Sequence, residues 1–327
     1  MKRLFLSLAV VGMLFTASAT AQTNSKVIKF EDAKVKQICI SRWDTNYDRE
    51  LSYEEAAAVT DLGYAFKGKE VLTLDELEYF TGLTSLNKYE FKDCISLASI
   101  TIPNSITSIK DYAFAGCAAL TSVTIPDSVT SIGREAFSGC ASLTSVTIGK
   151  SVTSIESKAF VGCRSLKKVY YTGDLSAWCK ITFKHFVGTP LSAAAKLYID
   201  GVEQTNITIP SDITQIKSNT FFGCSSLTSV TIPNSVTSIG DKAFSRTLLT
   251  SVTIPDSVTS IESDAFMYCR SLTKVYCKPT TPPAIGSSMS LGNAAGLKIY
   301  VPRNSVEAYK SAEAWASYAN YIEGYDF

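Results

Sequence analysis

Twelve residues near the start, DTNYDRELSYEE from Asp44 to Glu55, place oxygen donors at alternating positions. Asp44 stands at one, Asn46 at three, Asp48 at five, Ser52 at nine and Glu55 at twelve, with the backbone carbonyl of Glu50 at seven. Hard oxygen donors at this spacing suit Ca2+. Leu51 at eight supplies an apolar anchor, and a helical stretch is expected on each side. Two residues break the pattern. Arg49 occupies position six, where a sharp turn with positive φ favours Gly, and it sets a positive charge beside the cation. Tyr47 stands where a small residue is common. Two readings therefore remain, a calcium loop and an ion-free helical cap.

No second constellation suggests chemistry. The single histidine, His185 in FKHFVG, has no Asp or Cys close in sequence and reads as a solvated loop residue. G-x-S-x-G, H-E-x-x-H, P-loop and Rossmann glycine patterns are absent, so no catalytic residue and no enzyme is expected. Carboxylates such as Glu135 and Asp264 recur at variable positions, as on a solvated face. With 31 Lys and Arg against 30 Asp and Glu, the chain lacks the basic surplus that displaces counterions from phosphates, which excludes nucleic acid as the expected partner.

The elements that must carry these residues follow from a repeat. Phe91, Phe114, Phe137 and Phe160 are 23 residues apart, and so are Cys94, Cys117, Cys140 and Cys163; Phe221, Phe244 and Phe266 continue the pattern with one residue deleted. A fixed period of this size means a solenoid. One lane of ten aliphatic residues counts the coils: Leu77, Ile100, Val123, Val146, Val169, Ile207, Val230, Val252, Val275 and Ile299. The step from Val169 to Ile207 is too long by about fifteen residues, and the excess is expected as a loop or flap.

Within a coil, Val123 and Ile125 alternate with Ser122 and Thr124, which is a strand with one buried face. Pro126 ends it, Val129 and Ile132 form a second inward edge, and Ala136, Phe137 and Cys140 return through a helical turn. About six buried side chains per coil stabilise it by roughly 1.5–3 kcal/mol each, which does not exceed the cost of ordering 23 residues, so a coil holds only when stacked. Equivalent cysteines on adjacent coils have parallel side chains, with β-carbons farther apart than the roughly 3.8 Å a disulfide prefers. They are expected as small buried hydrophobes, while Cys39, Cys179 and Cys277 lie outside the ladder.

The motifs L-x-x-[IV]-x-[IV]-P, S-[VI]-x-x-I and A-F-x-x-C resemble the BspA-like bacterial branch of the leucine-rich repeat superfamily, from about Leu74 to the C-terminus. The expected fold is a leucine-rich repeat solenoid, mainly β, with a parallel sheet, short 3-10 or helical turns, a small helical N-terminal cap and a C-terminal capping helix. The loop 44–55 resembles an EF-hand loop or a dockerin's shortened loop. Residues 1–21 read as a signal peptide cleaved after Ala21, because Lys2 and Arg3 precede an apolar run and an A-x-A site. Residues 22–73 are the expected EF-hand-like cap, 74–296 the solenoid with an insertion at about 173–205, and 297–327 the last coil and a helix over 305–321.

Outward positions of the main strand form a stripe of Thr101, Thr124, Thr147, Thr208, Thr231 and Thr253, interrupted by Tyr170, Tyr276 and Tyr300. Lys168, Lys274 and Lys298 run beside those tyrosines, and Tyr171 is assigned to the same face. Tyr gives contact area at low entropy cost, so the ligand is expected at these breaks. The resemblance implies a secreted or cell-surface adhesin-like protein that recognises extracellular protein or glycan and requires no cofactor. The rival is calcium-dependent assembly through the dockerin-like loop; an enzyme and ice binding are minor alternatives. Asp127-Ser128-Val129 and Asp256-Ser257-Val258 resemble short O-glycosylation acceptors, and they are also the repeat's own consensus.

Overall fold

The computed structural model describes residues 26–286, 291 and 294–327. The expected signal segment, 1–21, lies outside them. Coil geometry follows the alternation in the sequence. In the strand Ser122–Ile125, Ser122 and Thr124 are exposed while Val123 and Ile125 are buried. The chain bends after Pro126, whose carbonyl accepts from Val129 N, and enters the short strand Ser131–Ile132. Glu135 and Gly139 then take positive φ as the chain turns back through buried Phe137 and Cys140.

A 23-residue step returns each position to its equivalent. Ser122–Ile125 pairs in parallel with Ser145–Ile148, which pairs with Lys168–Tyr171. A second parallel ladder joins Ser85–Leu86, Ser108–Ile109, Ser131–Ile132, Ser154–Ile155 and Thr182–Phe183. A third line of bonds crosses the turns, as in Phe114 N to Ala136 O at 2.7 Å. Along it the rings of Phe91, Phe114, Phe137 and Phe160 stack with centroids 5.0–5.2 Å apart. One apolar core runs through these coils from the N-terminal cap to Ile322.

Three expected features differ. The strand lane begins at Leu74: Thr73–Leu74 pairs with Ser99–Ile100, while Leu77 is buried in the 3-10 helix Asp75–Tyr79. The insertion is mostly a coil of its own. Its helix Leu175–Lys180 is capped by Asp174, Thr182–Phe183 joins the second ladder, and Lys196–Ile199 pairs with Lys168–Tyr171. The surplus is a hairpin, with Val202–Glu203 antiparallel to Tyr198–Ile199 across a turn at Asp200 and Gly201, both at positive φ. The C-terminal cap is a short helix, Val306–Ser311, and a 3-10 helix, Glu313–Tyr321, broken at extended Ala312. Buried Tyr309 and Trp315 fix that break by donating to Pro279 O and Pro283 O. A last strand, Ile322–Tyr325, then adds to the main sheet beside Lys298–Pro302.

Candidate functional site

The in-register ladder turns the sequence stripe into a surface. Thr124 lies beside Thr147, Tyr170 and Tyr198 in order; Thr208 lies beside Thr231, and Thr253 beside Tyr276 and Tyr300. Thr101, Thr124, Thr208, Thr231 and Thr253 are exposed, and Thr147 is half-buried. At the N-terminal end an open cleft of about 760 Å³ lies over Ser99, Thr101, Ser122 and Thr124, with Asp75, Glu78 and Asp127 in its walls. Asp75 accepts from Ser99 Oγ at 2.8 Å and Thr101 Oγ1 at 2.9 Å. The hydrogen bond from Thr172, with Lys150 alongside, holds the Asp127 carboxyl below its usual range, so this end is acidic.

Farther along, the face turns aromatic and basic. Tyr170 and Tyr198 lie 5.0 Å apart, and Tyr276 and Tyr300 stack at 5.0 Å and 18°. Tyr325 from the last strand meets both of the latter rings, at 5.5 and 5.4 Å. Lys196 pairs with Glu203 at 3.0 Å and Lys298 with Glu323 at 2.7 Å, contacts that raise both ammonium pKa values. Lys168 and Lys274 are exposed, and among the described residues neither forms an ion pair.

One expected face residue is not on the face. Tyr171 is 2% exposed and continues the inward row of Ile125 and Ile148. Successive residues of a strand point to opposite sides, so inward Val169 sends Tyr170 outward and Tyr171 inward. Its ring meets Trp178 edge-on at 5.3 Å, its hydroxyl donates to Lys150 O, and burial pushes its pKa up to about 12. Lys196 and Tyr198 were missed, although a signal exists: the triplet Lys-aliphatic-Tyr occurs at 168–170, 196–198, 274–276 and 298–300.

In the N-terminal cap, the helices Ala33–Trp43 and Tyr53–Ala58 flank the loop. Asp44 accepts from Tyr47 N and Arg49 N, Asn46 from Asp48 N, and Asp48 from Glu50 N. Glu55 accepts from Thr45 and, in a capping box, from Ser52. Burial opposes its ionisation, but the hydrogen bonds from Ser52 and Thr45 outweigh it and lower its pKa to about 2. Arg49 adopts φ +69°, the turn a calcium loop needs at that position, and Glu50 pairs with Lys36. The all-oxygen donor set and the backbone path fit a hard cation. The side chains are turned onto the loop's own N–H groups, and among the described residues no His, Cys, Asp or Glu group of three or more converges on a metal position.

The nine cysteines are all buried and free. Cys117, Cys140 and Cys163 donate to the phenylalanine carbonyls Phe91 O, Phe114 O and Phe137 O. His185 accepts from Val187 N and stacks on Phe186 at 4.5 Å. Among the described residues it makes no hydrogen bond to a carboxylate or thiol.

The chain matches the BspA type leucine rich repeat region in six copies, over residues 63–187 and 195–309. The gap between the blocks falls within the inserted coil. Similar solved structures include a leucine rich cell surface protein of Faecalibacterium prausnitzii, 24% identical over 76% of this chain and 78% of that one, with a TM-score of 0.44. A leucine-rich repeat protein of Bacteroides ovatus is 23% identical over 75% and 82%, with a TM-score of 0.27. The pneumococcal vaccine antigen PcpA is 15% identical over 76% and 78%, with a TM-score of 0.38. No curated protein matches.

Proposed function

Because this chain belongs to the BspA-type leucine-rich repeat family, we propose that it is a secreted or cell-surface bacterial protein whose main sheet binds an extracellular protein or glycan in the manner of an adhesin. The observation that carries this is the pair of Tyr/Lys clusters on an otherwise hydroxyl-lined face. Half-buried Tyr beside Lys offers rigid contact area and charge together. No described helix is long and apolar enough to cross a membrane. The test is binding of the mature chain to an array of extracellular proteins and glycans, repeated with Tyr170→Ala and Tyr276→Ala. Hot-spot tyrosines predict a loss of about 2 kcal/mol, or roughly thirtyfold, with the fold intact. Unchanged affinity in both variants would remove this face as the site.

A second reading, calcium binding by the loop 44–55, is favoured by the positive φ of Arg49. Ca2+ at about a hundred times its Kd would add roughly 2.7 kcal/mol to the cap's stability. The expected result is a rise in its melting temperature that EDTA reverses and that Asp44→Ala abolishes. A melting curve indifferent to Ca2+ and EDTA would leave the loop as a hydrogen-bonded cap.

A further inference from the structure

The two clusters share one constellation, to which Tyr325 adds a third ring in the second. In each, Lys-aliphatic-Tyr triplets lie on adjacent paired strands, Lys168/Tyr170 beside Lys196/Tyr198 and Lys274/Tyr276 beside Lys298/Tyr300. A glutamate on the next short strand neutralises the second lysine, Glu203 in one and Glu323 in the other. The first lysine remains unpaired among the described residues, so each cluster carries one net positive charge. In each cluster the two tyrosine rings pack on each other and stay half-buried, and in the first the Tyr198 hydroxyl also donates to Glu203 at 3.0 Å. Between the clusters lie the strands Asn206–Thr208, Ser229–Thr231 and Ser251–Ile254, whose outward side chains are neutral amide and hydroxyl groups. The gap is roughly 20 Å at one strand spacing per coil.

Resting on the reading of this sheet as the binding face, we propose that the two clusters are equivalent subsites that hold one linear acidic polysaccharide, with a carboxylate of the chain at each unpaired lysine. A protein interface would want an apolar centre between its anchors. A row of hydroxyl groups instead matches a polyhydroxylated chain, which hydrogen-bonds along its length. Asp75 and Glu78 in the cleft, whose third carboxylate Asp127 is paired with Lys150, repel such a chain, which sets its path from the first cluster toward the C-terminal end. Two linked weak sites gain about 10²–10⁴ in avidity without any new contact.

The test uses the full mature chain with polygalacturonate, trigalacturonate (too short to reach both clusters), dextran and poly-L-glutamate. Expected is binding of the polymer at least about a hundredfold tighter than of the trimer, weakened by salt. Lys168→Ala/Tyr170→Ala and Lys274→Ala/Tyr276→Ala should each bring the polymer down to trimer-like affinity, and the four changes together should abolish binding. Melting curves check that each variant is folded. A single-cluster variant that binds the polymer as wild type does, or not at all, overturns equivalence. Equal binding of dextran, or binding of poly-L-glutamate with none of polygalacturonate, overturns the acidic glycan. An array partner that depends on one cluster alone overturns this inference and leaves the binding face standing; indifference to both clusters removes both.

Discussion

Phe137→Ala is expected to cost about 3–5 kcal/mol of stability, measured by urea unfolding. The ring is fully buried and lies between Phe114 and Phe160, with centroids 5.0 and 5.2 Å away and planes within 5° and 7°. Truncation removes its apolar burial and both stacking contacts, and it opens a void between coils whose backbones are tied on either side by Phe114 N to Ala136 O and Phe137 N to Ala159 O. Those bonds keep the coils from collapsing into the space, which places the cost in the upper part of the usual range. In a solenoid each coil is held mainly by its neighbours, so a damaged interface uncouples the two sides. The variant should therefore unfold in two resolved steps where the wild type is expected to unfold in one. Thr124→Ala, on the exposed side of the same region, should change stability by no more than about 0.5 kcal/mol. A Phe137→Ala variant as stable as Thr124→Ala would mean that the ring ladder does not hold the coils together.

The same physics explains what was legible in advance. A 23-residue period fixes strand, turn and ring ladder together, because every equivalent position must meet itself one coil on. It fails where the period does. Leu74 and Leu77 both suit an inward lane, and only pairing with Ile100 decides for Leu74. Leu197 and Ile207 compete in the same way, and both prove to be buried lane residues because a hairpin separates them. Missing Leu197 hid Lys196 and Tyr198, and with them half of the first cluster. The burial of Tyr171 was available from alternation alone, since Val169 fixes the phase of KVYY. The closing strand was not: Ile322–Tyr325 follows aromatic residues with helical spacing, and the break at Ala312 depends on distant acceptors, Pro279 O and Pro283 O.

Glu90→Gln is expected to stabilise the protein at pH 8 by on the order of 2–3 kcal/mol and to change little at pH 4.5. Glu90 is 1% exposed and occupies the position that Ala113 and Ala136 hold in the next coils. Burial pushes its pKa up from 4.5 to about 7, with the charge of Asp61 adding to the shift, while backbone hydrogen bonds at Tyr64 and Asn87 pull the other way. A carboxyl whose folded pKa is raised binds its proton more tightly in the fold than in the unfolded chain. Its contribution is therefore complete below about pH 4.5 and is lost as pH rises through about 7. Gln keeps an oxygen for Tyr64 N, which donates to Glu90 at 3.2 Å, and it has no proton to lose. Urea unfolding of both proteins at pH 4.5 and pH 8 gives the comparison. A difference that stays flat across this range would show that the buried carboxyl does not titrate there. Tyr64 belongs to the N-terminal cap and Glu90 to the first regular coils, so the ionisation acts on the joint between them. On this expectation the hold of that joint near neutral pH falls as Glu90 loses its proton, at the opposite end of the stack from the Tyr276 and Tyr300 cluster.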